Sequence, residues 1–180
     1  MSLEAEPDNI DLDISVADPV WQDQYPDYAD RIGACFAQIV AQVPQARNFG
    51  KFLHLELSIL LTNDQNIQTL NRDYRDQDKA TNVLSFPSLS EPEMAAFLER
   101  GVEIPEHPVA LGDIIFAFET IKSEAVQQGK SFSDHFCHLC LHGMLHLLGY
   151  DHVQPDQADE METLEKWLLS KLSIDDPYQD

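Results

Sequence analysis

The chain has 180 residues, of which 43% are hydrophobic and 24% charged, and these values predict a single compact domain. Eleven Lys and Arg against 32 Asp and Glu give a formal net charge of −21, which argues against a general nucleic-acid-binding module because such modules neutralise phosphates with basic side chains. The apolar runs fall far short of the roughly 20 residues that span a bilayer, the first residues lack a signal-peptide pattern, and three cysteines fit a reducing compartment, so we expect a soluble cytoplasmic protein.

Periodic apolar residues predict an α+β fold, in which helices flank one small mixed sheet. Residues 1–24 are predicted to be an acidic N-terminal extension with few recognisable features, and residues 25–180 the folded domain. Helical spacing runs over 20–43, and alternation of apolar and polar residues over 53–59 predicts a half-buried strand. Further helices are predicted over 63–75, 94–100, 119–129, 132–148 and 155–173, and further strands over 82–86 and 109–118.

The stretch from His142 to His152 has the spacing of a metal site. His142 and His146 lie one turn apart on the same helical face, at the end of a helix in the C-terminal half. Gly149 allows the chain to reverse and bring His152 back toward the pair. Three neutral imidazoles with a fourth position left open are typical of catalytic zinc. Asp151 either orients a ligating histidine or only closes the turn, and the sequence favours neither.

An isolated pair of histidines at this spacing more often packs in a core than binds metal. Here the third histidine and a segregated helix favour the metal site, because apolar and imidazole side chains occupy different sides of the predicted helix. The imidazole side carries His135, His138, His142 and His146, whereas the apolar side carries Cys137, Leu141, Met144 and Leu148. We therefore expect one side to pack and the other to face a cleft.

Two other metal or catalytic motifs are disfavoured. Cys137 and Cys140 have Cys-x-x-Cys spacing, but only Cys35 remains elsewhere and no strand precedes the pair, so buried structural thiols are the preferred interpretation. Position 143 is Gly, so the general-base glutamate of the His-Glu-x-x-His metallopeptidases is absent. Proteolysis is disfavoured for that reason.

Several segments together resemble the YbeY-type endoribonucleases, which mature rRNA. The first is His-Gly-x-Leu-His-Leu-x-Gly-Tyr-Asp-His at 142–152. The others, in the family's order and spacing, are Leu-Asn-Arg-Asp-Tyr-Arg at 70–75, Asp-Lys-Ala-Thr-Asn-Val-Leu-Ser-Phe-Pro at 78–87, Leu-Gly-Asp-Ile at 111–114 and the acidic helix from 158 to 165. The resemblance covers about residues 50 to 175 and agrees with the predicted small mixed sheet.

The resemblance implies a metal-dependent endoribonuclease that cleaves single-stranded RNA, matures the 3′ end of small-subunit rRNA and acts in ribosome quality control. It implies His142, His146 and His152 as the metal ligands and Arg75 as the family's functional arginine. We expect one divalent ion, Zn²⁺ by preference, although three imidazoles also suit nickel, copper or iron. We also expect Arg75 to bind and stabilise the reacting phosphate. The implied partners are rRNA, the small ribosomal subunit and its assembly factors, without DNA or membrane. The nucleophile, a water on the ion or a ribose 2′-hydroxyl, stays open.

The negative charge conflicts with an RNA substrate unless cations are concentrated locally. Arg72, Arg75 and Lys79 fall within eight residues of one another, so we predict a small electropositive pocket in which Lys79 also binds substrate. The alternative for Arg75 is a surface ion pair with one of the aspartates around it at 73, 76 and 78. Two other functions stay open: a non-catalytic ribosome-assembly factor that the metal stabilises and, less favoured, a metallopeptidase.

The remaining acidic residues are given structural interpretations. Asp113, beside a glycine in an apolar strand, is predicted to be structural. The helix over 155–173 interleaves Glu160, Glu162 and Glu165 with apolar residues, which predicts amphipathic packing with a solvated acidic face.

Overall fold

A computed structural model describes residues 9–179. Four strands form one sheet: β1 (Ile10–Val16), β2 (Leu55–Thr62), β3 (Val83–Pro87) and β4 (Val109–Ala117). The helices are α1 (Val20–Gln24), α2 (Tyr28–Gln42), α3 (Asp64–Arg75), α4 (Glu91–Leu98), α5 (Phe118–Gln127), α6 (Phe132–Leu147) and α7 (Pro155–Lys171), with a 3₁₀ segment at Pro44–Lys51. These elements confirm the predicted α+β fold of one sheet flanked by helices.

The sheet is mixed and has the strand order β1-β2-β4-β3. β1 and β4 both pair parallel to β2, and β3 pairs antiparallel to β4 at an edge of the sheet. Apolar side chains from one face of the sheet join α2, α6 and α7 in the main core, and a smaller cluster around Ile67 and Ile115 lies under α3 on the other face. Within the sheet, α6 contacts β3 and its neighbour β4.

The predicted helix over 20–43 is wrong in one respect, because the chain forms two helices there. α1 ends at Gln24, Tyr25 leaves the helical region with φ −142° and ψ 62°, and α2 begins at Tyr28. Pro26 lies between them and has no N–H for an intrahelical bond, and its ring also disfavours the helical conformation at Tyr25.

Residues 10–24, predicted to lie in an acidic extension, form part of the domain. β1 pairs with β2 along its whole length, from Ile10 opposite Leu55 to Val16 opposite Leu61. Trp21 is completely buried, and its indole N–H donates to the carbonyl of Thr62 at 2.9 Å. Residues 1–8 of the predicted extension lie outside the described residues.

Candidate metal centre

Helix geometry and one tight turn bring the three predicted ligands together. His142 and His146 lie on α6, and their Nε2 atoms are 3.0 Å apart. After α6 ends, Gly149 takes φ +96°, a conformation that favours glycine, and the turn returns His152 to the pair. Each of the three residues offers a ring nitrogen, and these atoms all lie within 4.8 Å of one another. The three histidines form a group that can hold one ion.

The second ring nitrogens of His142 and His146 each face a hydrogen-bond acceptor. His142 Nδ1 donates to a carboxylate oxygen of Glu165 at 2.6 Å, and His146 Nδ1 donates to the carbonyl of Tyr150 at 2.9 Å. Neutral rings with their protons on Nδ1 present two Nε2 lone pairs to each other. Lone pairs at 3.0 Å repel unless a cation lies between them, so the tautomers and the donor set fit a divalent metal ion.

Burial favours the unprotonated form of the His146 ring, which is the form that binds a metal ion. Burial and the neighbouring His142 and His152 lower the pKa of His146, so its ring is neutral at neutral pH. Since a ligating imidazole must be unprotonated, protons compete little with the ion at this position.

Glu165 is the main functional residue that the sequence analysis missed. Its side chain is completely buried, which corrects the prediction that it belongs to a solvated acidic face of α7. Burial alone would raise the pKa of Glu165, but hydrogen bonds from His138, His142 and Tyr178 outweigh burial and hold the pKa at about 2. A permanent negative charge therefore lies directly behind His142.

The other two histidines of the same helix face lie outside the group of three. His138 Nε2 donates to Glu165 at 2.9 Å, and His135 contacts Glu124 at 2.7 Å. Burial lowers the pKa of His135. The imidazole face of α6 thus carries two histidines of the group that can bind metal, His142 and His146, and two that bond carboxylates outside that group, His135 and His138.

Asp151 forms a local hydrogen bond rather than orienting an α6 histidine. Its carboxylate accepts from the backbone N–H of His152 at 2.7 Å and lies 3.5 Å from that residue's Nδ1. The hydrogen bond fits closure of the turn, and because the Nδ1 contact is with His152, a proposed ligand, orientation of a ligating histidine stays a prediction. Asp113 is exposed on β4 and alternates with Ile114, which faces α6, so Asp113 lies on the opposite face of the sheet.

Arg75 lies in the same cleft as the three histidines. We call this space, of about 610 Å³, the histidine cleft; it is lined by the β3 region on one side and the 142–153 region on the other. Arg75 ends α3, donates from Nη2 to the carbonyl of Ser85 at 2.8 Å and lies over the Phe86 ring at 5.3 Å. Ser85 Oγ in turn donates to the carbonyl of Gly143 on α6 at 3.3 Å. Arg75 and α6, the helix that carries His142 and His146, are therefore both bonded to Ser85 of β3.

The other predicted cations lie elsewhere. Lys79 is exposed on the connection between α3 and β3 and does not line the histidine cleft. Arg72 is exposed and pairs with Asp73 at 3.1 Å. Within residues 9–179, Arg75 forms no ion pair with the neighbouring aspartates and is the only Lys or Arg that lines the cleft.

Comparison with known proteins identifies the family of this chain. The family model described as endoribonuclease YbeY matches residues 21–173. The chain belongs to the endoribonuclease YbeY family. Relatives named endoribonuclease YbeY include one from Paramagnetospirillum magneticum, 44% identical over 94% of this chain and 96% of the relative, and one from Azorhizobium caulinodans, 42% identical over the same shares.

A solved structure extends the comparison to the fold. The solution structure of a Thermotoga maritima protein has a TM-score of 0.52 and 16% identity, and the match covers 94% of this chain and all of that one. At that identity the likeness concerns the fold alone. In this YbeY family member, no helix among residues 9–179 is long and apolar enough to cross a membrane.

Close packing at Gly143, the position after His142, leaves little room for the glutamate of a His-Glu-x-x-His motif. A Cβ atom added at Gly143 would lie 3.1 Å from both Ile114 Cγ2 and Ser85 Oγ, because α6 approaches the sheet closely there. A longer side chain would point into strands β3 and β4 rather than toward an ion. Cys137 and Cys140 are free and buried, as predicted for this pair, and Cys35 is also free and buried.

Proposed function

We propose that this YbeY family member is a metal-dependent endoribonuclease that cleaves single-stranded RNA. The observation that carries the proposal is one cleft that joins three convergent imidazoles to a single positioned arginine. We propose further that its substrate is the 3′ end of small-subunit rRNA, that it acts in the cytoplasm on the small subunit with assembly factors, and that it takes part in ribosome quality control.

His142, His146 and His152 would hold the ion, and their neutral donors leave its charge undiluted. When bound, a divalent ion such as Zn²⁺ supplies Lewis acidity toward the phosphate and lowers the pKa of a coordinated water. Glu165 fixes the His142 tautomer from behind, and the Tyr150 carbonyl does the same for His146.

Arg75 would bind the phosphate that is cleaved. One guanidinium N–H is used on Ser85, which fixes the side chain and leaves other N–H groups for phosphate oxygens. Donors held in place in this way stabilise the charge that builds on phosphorus as the bond breaks. Lys79, exposed on the α3–β3 connection, would contact RNA outside the cleft.

The overall charge limits where RNA can bind. At a net charge of −21 the protein repels polyanions at long range, so productive contact depends on the ion, Arg75 and Lys79. We therefore expect strongly salt-dependent RNA binding and assistance from the ribosomal partner.

The test compares two arginine variants on defined RNA. Arg75→Ala should abolish cleavage of a single-stranded rRNA 3′-end precursor, whereas Arg72→Ala, which changes an exposed arginine on the same helix, should retain it. Duplex RNA and casein should not be cut. Full function of Arg75→Ala in ribosome maturation, with no RNA cleavage by the wild type, would support the assembly-factor alternative. Product ends identify the nucleophile, because a 2′,3′-cyclic phosphate requires attack by the ribose hydroxyl.

A further inference from the structure

The segment that follows α7 folds back over the rear of the metal centre. We call residues 173–179 the return segment. It begins with Ser173 in the left-handed region at φ 59°, and side chains of Lys130 and Lys166 contact it. Lys130 Nζ donates to the carbonyl of Pro177 at 3.0 Å, and Lys166 lies 3.9 Å from the Asp176 carboxylate. These contacts come from the loop before α6 and from α7 itself.

Tyr178 is the residue of this segment that reaches the centre. Its hydroxyl donates to Oε2 of Glu165, and its ring packs edge-on against His138 with a centroid distance of 5.4 Å. His138 Nε2 donates to the same oxygen at 2.9 Å, while the other oxygen of Glu165 accepts from His142 at 2.6 Å. One carboxylate oxygen is therefore held by two donors, and the other contacts the proposed metal ligand.

We infer that Tyr178 is a positioning residue for the metal centre: its hydroxyl holds the buried Glu165 carboxylate against His142, and the return segment thereby sets how tightly the three histidines hold an ion. The inference rests on the proposed metal binding by these histidines. It also concerns a part of the chain beyond the family match, which ends at residue 173.

The physical reason is preorganisation. A carboxylate that bonds a ligating imidazole strengthens metal binding only while it stays in place, and such partners typically change affinity about 10- to 100-fold. Glu165 has no cationic Lys or Arg partner within the described residues, so hydrogen bonds alone fix its orientation. Removing the Tyr178 donor leaves Oε2 with His138 alone and lets the carboxylate move away from His142. Metal binding must then also order the Glu165 carboxylate and the His142 ring, which lowers the affinity.

The test measures zinc affinity rather than activity. The full-length protein is stripped of metal, and the dissociation constant and release rate of Zn²⁺ are measured by competition with a chromophoric chelator. The thermal midpoint of the metal-free protein is recorded in parallel. Tyr178→Phe keeps the ring and removes only the hydroxyl, and Tyr178→Ala removes both. The control, Tyr25→Phe, removes a hydroxyl that bonds Ser133 at 2.8 Å in another part of the protein.

We expect Tyr178→Phe to bind Zn²⁺ about 3- to 10-fold more weakly and Tyr178→Ala about 10-fold or more, with faster release in both. Tyr25→Phe should keep wild-type affinity even if its midpoint falls. Unchanged affinity in both Tyr178 variants, with or without a lower midpoint, would reduce the return segment to a structural role and overturn the inference. If the wild type itself binds no Zn²⁺, the proposed metal function fails first and this inference fails with it.

Discussion

Replacing Glu165 by glutamine tests the support behind the three histidines. The carboxylate accepts from three donors, namely His138, His142 and Tyr178, and an amide has a single acceptor oxygen. In either orientation, the new NH₂ group faces an N–H or O–H donor. Glu165→Gln therefore removes a buried charge and also leaves at least one donor without an acceptor.

Two magnitudes follow from this loss. Changing a carboxylate that orients a metal-bound histidine costs about 10- to 100-fold in affinity, or about 1.4–2.7 kcal/mol. A buried donor left without a partner costs about 1–3 kcal/mol, so the free energy of unfolding of the metal-free protein should fall by that amount as well. The matched control is Glu160→Gln, the same chemical change at an exposed position of α7.

Chelator competition measures the loss of zinc affinity. Urea unfolding of the metal-free proteins measures the loss of stability. Glu160→Gln should match the wild type in both assays. Wild-type zinc affinity in Glu165→Gln would refute the claim that this carboxylate supports the metal group. An unchanged free energy of unfolding would show that the buried hydrogen bonds of Glu165 do not stabilise the metal-free protein.

Three further predictions concern Glu165, Arg75 and Gly143. Because the pKa of Glu165 is lowered from 4.5 to about 2, the stability advantage of the wild type over Glu165→Gln should be complete above pH 4.5 and disappear as the pH falls toward 2. Urea unfolding of both proteins across this pH range measures the advantage. An advantage that stays constant with pH would contradict the prediction. Arg75→Lys should keep zinc affinity but lose about 10²- to 10³-fold in RNA cleavage rate, because lysine lacks the fork of donors; near-normal cleavage would exclude phosphate stabilisation by Arg75. Gly143→Ala should lower the free energy of unfolding by about 1–3 kcal/mol, since its Cβ would lie 3.1 Å from Ile114 and Ser85, and an unchanged value would show that α6 can shift.

The metal group was predictable because its geometry is local. A helix fixes the relation of His142 to His146, and a glycine turn of three residues fixes the return of His152, so no distant contact is needed. The cap of α3 was predictable for the same reason, as Asn63 accepts from the N–H of Asn66 at 2.9 Å. The alternation of apolar and polar residues in β2 is also a local pattern, and it predicted this strand.

The burial and the partners of Glu165 could not be predicted, because a sequence pattern shows which side of a helix a residue lies on but not what packs against that side. The residue falls on the stripe with Met161, Leu168 and Leu169, all buried in α7, and a lone acid on an apolar stripe was the available signal. Its partners His138 and His142 come from another helix. The long-range packing of α6 on α7 decides that the acid is buried.

β1 was missed for a different reason. Ile10, Leu12, Ile14 and Val16 alternate with exposed residues, which is the period of a half-buried strand. The aspartates on the exposed side make the segment acidic, and this composition masks the apolar alternation. The pairing with β2 that buries the apolar side is a contact of distant parts of the chain and has no local mark in the sequence.

We propose that His142, His146 and His152 together hold one ion that RNA cleavage requires. The most direct measurement counts bound metal per chain and assays cleavage of single-stranded RNA in the same samples, for the wild type and for His146→Ala. We predict one ion per chain and active cleavage in the wild type, and loss of both in a folded His146→Ala protein. Cleavage at the wild-type rate by His146→Ala, or by metal-free wild type, would contradict the account.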